Sequence, residues 1–113
     1  MIEITVLDYL TNSLSVPVYM EEPENPPDEY VLLEKTGSSE NDHIQSAVLI
    51  VQSYAGSLYG AASLNGLVKR AMRDSITLDD VTRCKLNSDY NFTDTETKRY
   101  RYQAIFDITY YDN

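Results

Sequence analysis

The chain has one cysteine, one histidine and no tryptophan, with only four glycines and four prolines in 113 residues. A single cysteine, Cys84, cannot close an internal disulfide, and one Cys with one His cannot complete a structural zinc site. A reducing compartment fits such a chain. No apolar run approaches the roughly 20 residues of a membrane helix, and Met1-Ile2-Glu3-Ile4-Thr5 lacks the basic start of a secretory signal. A soluble, unexported protein is expected. Also missing are a Gly-x-x-x-x-Gly-Lys-Ser/Thr loop and a Gly-x-Gly-x-x-Gly turn, the usual backbone cradles for nucleotide phosphates.

Positive charge is scarce in the first part of the chain. Residues 1 to 42 hold ten acids (Glu3, Asp8, Glu21, Glu22, Glu24, Asp28, Glu29, Glu34, Glu40, Asp42) against Lys35 alone, whereas acids and bases balance in the remainder, so the net charge of −9 lies in the first segment. Affinity for a phosphate backbone rests on clustered Lys and Arg, so nucleic-acid binding is not the expected main task. Solubility accounts for an acidic surface. A surface that must repel DNA is the sharper alternative to that default.

What is present is hydrophobic periodicity. Val6, Leu7, Leu10 and Leu14 recur at helical spacing in Ile2 to Leu14, predicting a short amphipathic helix. Val16 to Met20 reads as a short strand with Pro17 at an edge or at its start. Glu21 to Asp28 is a proline-rich acidic loop. Tyr30 to Thr36 is the next strand, closed by Gly37-Ser38-Ser39, with a polar, mobile loop to Asp42. His43 to Tyr54 contains Ala47-Val48-Leu49-Ile50-Val51, apolar on both faces, the pattern of a strand covered on both sides or central in its sheet. Ser57 is placed to cap a helix running to Arg73, whose Leu58, Ala61, Leu64, Leu67, Val68, Ala71 and Met72 form one broad face. Asp74 to Asp80 connects it to a strand over Val81 to Leu86. From Arg99 onward the even positions Tyr100, Tyr102, Ala104, Phe106, Ile108 and Tyr110 are apolar or aromatic and polar residues mostly fall between them, as in one long half-buried strand. The expectation is one domain over residues 1–113. Its fold class is α+β, a two-layer sandwich of a mostly antiparallel sheet of four to five strands with two helices packed on it.

Candidate chemistry is thin. Cys84 and His43 are the only members of a possible nucleophile pair, and neither lies in a nucleophile signature. Asp79, Asp80, Asp89 and Asp94 lack calcium-loop spacing. Lys98, Arg99 and Arg101 beside Tyr100 and Tyr102 could stack on bases, but cations on one face and rings on the other fit a packed sheet better. Ten tyrosines belong either at the rim of a sheet core or at a protein interface. No enzyme, metal or cofactor is expected.

The acidic Pro-rich loop before Tyr30-Val31-Leu32-Leu33-Glu34-Lys35-Thr36-Gly37 is one of four features that carry a resemblance. The others are the strand from Gln45-Ser46-Ala47 to Gln52-Ser53-Tyr54-Ala55, the helix behind it, and Asp89-Tyr90-Asn91-Phe92-Thr93-Asp94 leading into Arg101-Tyr102-Gln103-Ala104. Together, in order and length, they resemble the tail terminator, or tail completion, proteins of long-tailed phages and prophages. The resemblance implies a β-sheet flanked by helices and self-assembly into a ring, typically of six copies, on the head-proximal end of the tail tube. Its partners would be further copies of itself, the tail tube protein and the head connector or neck protein, with DNA only as passing cargo and no membrane. It implies a place at the tail–neck junction of the virion, and in the host bacterial cytoplasm during assembly. The acids Glu21, Glu22, Glu24, Glu40 and Asp42 would line the bore or become ordered on assembly, and Arg99, Arg101 and Gln103 would form a second interface. Two alternatives stand beside it: a head-side neck or head-completion protein of the same module, and a small acidic binding protein outside any virion.

Overall fold

The computed structural model describes residues 1–111. Helix α1 (Ile2–Ser13) is followed by strands β1 (Val18–Tyr19), β2 (Tyr30–Asn41) and β3 (Ile44–Ala55). Helix α2 (Leu58–Arg73), a 3-10 turn (Asp74–Thr77), and strands β4 (Val81–Asn91) and β5 (Tyr100–Tyr110) complete the elements of the described residues. The five strands form one sheet in the order β1-β2-β3-β5-β4. All pairings are antiparallel except β1 with β2, which run parallel through Val18 opposite Val31 and Tyr19 opposite Leu32. Both helices pack on one face, so the α+β two-layer arrangement expected from the periodicities is the observed one.

Two long hairpins, β2–β3 and β4–β5, are joined by α2. Strands β3 and β4 both run antiparallel to β5, which lies between them, so α2 carries the chain over one strand position. The core lies between α1, α2 and the odd side chains of β3 with the even ones of β5. Val6, Leu10, Leu49, Val51, Val68, Met72 and Phe106 are all at most 2% exposed. Each such side chain contributes about 1.5–3 kcal/mol on burial. Alternation along β5 places Ala104, Phe106, Ile108 and Tyr110 inside, as its sequence period requires.

Several boundaries differ from those read in the sequence. The polar stretch Gly37 to Asp42 was expected as a loop, but β2 continues through it to Asn41, paired with Ile44. Backbone pairing with β3 suffices there without apolar side chains. The register slips between Lys35 and Gly37, one extra residue in a bulge. The loop shrinks to a two-residue turn, Asp42-His43, both with positive φ (51° and 69°). Positive φ at both central residues is the type I′ geometry whose twist matches that of a hairpin. At the other edge Val16 to Met20 yields only two strand residues, because Pro17 offers no donor and only its carbonyl bonds to Val31 N–H, at 2.9 Å. Strand β4 extends to Asn91, with two further register shifts, between Val81 and Arg83 and between Leu86 and Ser88. The Ser57 cap is present, its Oγ accepting from Gly60 N–H at 3.0 Å.

Candidate interaction surface

Helices cover one face of the sheet. Among the described residues the other is covered at one end, where residues 20–29 cross it after leaving β1. Pro26, Pro27 and Asp28 lie beside Tyr30, Tyr54 and Arg99 around a hollow of about 220 Å³. Beneath this crossing, on the face away from the helices, the side chains are buried: Tyr30 is 1% exposed and Tyr54 5%.

Their arrangement follows from register. Tyr30 of β2 stands opposite Tyr54 of β3, which stands opposite Arg101 of β5, all on the helix-free face. The two rings stack at 4.5 Å between centroids with 4° between planes. Arg101 donates through Nε to the Phe92 carbonyl at 2.6 Å and through Nη1 to the Tyr54 hydroxyl at 2.9 Å. Its guanidinium lies 4.4 Å from the Phe92 ring centroid, within cation–π range. Arg99 reaches the Glu22 carboxylate at 2.6 Å and also donates to the Tyr30 hydroxyl, which itself donates to Glu22 at 2.6 Å. One residue row further in, Gln52 Nε2 donates to Gln103 Oε1 at 2.7 Å, and Gln103 Nε2 donates to the Tyr90 hydroxyl at 2.5 Å.

Electrostatics follow from these partners. Burial alone would raise the Glu22 carboxyl, but the hydrogen bonds from Tyr30 and Arg99 outweigh it and hold it below the usual carboxylate range. Burial, reinforced by the Glu22 carboxylate, pushes the Tyr30 phenol well above its ordinary value. A separate ion pair on the helical side joins α2 to β4. Asp89 meets Lys69 Nζ at 2.9 Å and accepts from Asn65 Nδ2 at 2.8 Å, and the Lys69 bond holds its carboxyl down against burial.

The residues singled out in the sequence therefore divide. Glu22, Arg99, Arg101 and Gln103 converge on one network at the Tyr30 end of the sheet, and Gln103 is only 7% exposed. Glu21 and Glu24 are exposed on the crossing segment. Glu40 and Asp42 lie at the β2–β3 turn, ten or more strand residues away, or roughly 33 Å at the usual rise per residue. Glu40 accepts a hydrogen bond from Gln45 across the hairpin. The sequence reading missed the Tyr30–Tyr54 stack, because a stack depends on cross-strand register, which neither strand specifies alone. His43 sits in the exposed turn, and Cys84 is half-buried facing the helices, where burial pushes its thiol up.

Toward the middle of the sheet the helix-free face opens. Leu32, Val48, Ile50 and Ile105 are half-buried there. A depression of about 250 Å³ is lined by Leu32 and Ile50 together with Met20, Glu21, Glu22 and Glu34. The depression thus has an apolar floor and an acidic rim. Among the described residues no helix is long and apolar enough to cross a membrane, and no group of three or more His, Cys, Asp or Glu side chains stands close enough to hold a metal ion. No known family pattern matches the chain, and neither does any curated protein.

Proposed function

We propose that this chain is a structural subunit of a long-tailed phage or prophage. Copies of it form a ring on the head-proximal end of the tail tube, end tube polymerisation and present the docking surface for the head connector. The observation that carries the reading is the open, acid-rimmed apolar face of the sheet, combined with the resemblance of the segments in order along the chain. A domain held by one core on one side of a sheet, with the other side left partly apolar, is built to bind.

The mechanism in this reading is binding without bond chemistry. Each subunit offers surfaces to its ring neighbours, to the last tube ring and to the neck. The exposed acids Glu24, Glu40 and Asp42 are those available to face DNA passing through the bore, where like charge prevents sticking. Arg99 contributes through the segment it holds in place, with Glu22 as its anchor, while Arg101 and Gln103 brace the sheet beside it through Phe92, Tyr54, Gln52 and Tyr90.

The test is incubation of the pure protein with tubes assembled from the tube protein of the same genome cluster, followed by negative-stain imaging of tube ends. A ring at one end with elongation arrested is the expected result. Bare, growing tubes would overturn it. Binding to portal protein in a parallel pull-down would then favour the head-side neck role, and binding to neither would favour a small acidic binding protein outside the virion.

A further inference from the structure

Strand β3 is apolar at every position from Ala47 to Val51, a run written for burial on both faces. The fold buries one. Ala47, Leu49 and Val51 lie under the helices, while Val48 and Ile50 emerge on the open face beside Leu32 and Ile105. The acids nearest this strip are Glu21, Glu22 and Glu34 around the depression and Asp107 along β5.

The opposite layer presents a surface of complementary character. Helix α2 has no acidic residue in its 16 positions, although the chain carries a net charge of −9. Tyr59, Ser63, Gly66, Arg70 and Arg73 follow one another at three- and four-residue steps and are all exposed, with Leu67 beside them. Tyr59 is 85% exposed and Leu67 48%. Gly66 is mid-helix, where glycine costs about 1 kcal/mol relative to alanine, yet a Cβ placed on it meets nothing within 4 Å. Nothing among the described residues calls for glycine at that position. A glycine there permits close approach by something outside the chain.

We propose that the outer face of α2 in one copy docks on the open sheet face of the next. Leu67 and Tyr59 lie against the apolar strip, Gly66 lets the sheet approach, and Arg70 and Arg73 face Glu21 and Glu34. Two copies of so acidic a chain repel in most orientations, and this is one in which cation meets anion over apolar floor. The two surfaces differ and lie on opposite layers, so the contact is heterologous: every added copy leaves one of each kind free, and assembly runs head to tail until a ring closes. The ring is that of the proposed function, on which this inference rests, but the contact is measurable on the pure chain.

The test is charge exchange at exposed positions. One variant carries Arg70→Glu and Arg73→Glu, the other Glu21→Lys and Glu34→Lys, with circular dichroism and melting used to verify that both fold. Sedimentation velocity at low salt, up to millimolar concentration, is expected to show wild-type self-association weakened at least about tenfold in either variant alone. An equal mixture restores it, because each variant then meets its complement in the other. Gly66→Gln is expected to weaken association while leaving the melting temperature unchanged or higher, which separates the contact from the fold. A wild-type chain that stays monomeric to millimolar concentration, variants that associate as wild type does, or a mixture without rescue would each overturn the proposal. Tube capping by a chain that fails here would spare the proposed function and remove this contact. Charge-dependent self-association without tube binding would do the reverse.

Discussion

Glu22 and Arg99, 77 positions apart in the chain, meet at 2.6 Å and fasten the segment between β1 and β2 across the helix-free face of the sheet. Tyr30 sits inside that pair, hydrogen-bonded to both partners. The side chains of Arg99 and Glu22 are 42% and 38% exposed, so water screens much of their attraction. Arg99→Gln is therefore expected to lower stability by less than about 1 kcal/mol, while markedly speeding amide exchange in residues 20–29. Exchange rates unchanged from wild type would show that the pair does not hold the segment.

The Tyr30–Tyr54 stack has a larger share in the fold. Tyr54→Ala removes a buried ring and leaves the Arg101 guanidinium without one of its acceptors, with an expected loss of about 3–5 kcal/mol. Tyr54→Phe keeps the stack and loses the hydroxyl that accepts from Arg101 and donates to Gln52, for about 1 kcal/mol. Urea denaturation of the two variants checks the ratio.

Stability should depend on pH at both ends of the range. The folded-state values of Glu22 and Asp89 are depressed. Their contribution is therefore present above the unfolded carboxylate value, near pH 4, and is lost as pH falls through the lower folded values. Tyr30 is shifted upward, so its contribution is complete below the unfolded phenol value, near pH 10, and is lost as pH rises beyond it. The Cys84 thiol is also shifted upward by burial, so its contribution begins to be lost above the unfolded thiol value, at about pH 8.5. Urea midpoints measured from pH 3 to 11 are expected to be flat only between the carboxylate and thiol limits. In Glu22→Gln the fall on the acid side shrinks.

The Asp42-His43 turn carries left-handed backbone on two residues that have a Cβ. His43→Gly relieves that strain at one of them and is expected to raise stability by up to about 1 kcal/mol. A lower urea midpoint would mean that the histidine side chain contributes more than its backbone costs.

Ser53 is fully buried among core residues, and its hydroxyl has no hydrogen-bond partner among the described residues. Removing an unpaired buried polar group relieves its desolvation, so Ser53→Ala is expected to be neutral or stabilising by about 1 kcal/mol. Thermal melting distinguishes this from a destabilising loss of a few degrees.

Sequence by itself determined the elements whose burial repeats with a fixed period. Helix α2 with its Ser57 cap, the alternation of β5 and the central place of β3 were all legible, because side-chain spacing alone decides which face is apolar. The extension of β2 through Gly37 to Asn41 was not legible, since those polar residues are strand only by virtue of their partner β3. The acids and arginines were visible as candidates, but their distribution was decided by tertiary structure. Register put Tyr30, Tyr54 and Arg101 in one row, the crossing segment brought Glu22 to Arg99, and the same strand lengths carried Glu40 and Asp42 to the far end. Contacts between residues distant in the chain depend on which strands become neighbours. That choice is made by the whole core at once, and no local stretch encodes it.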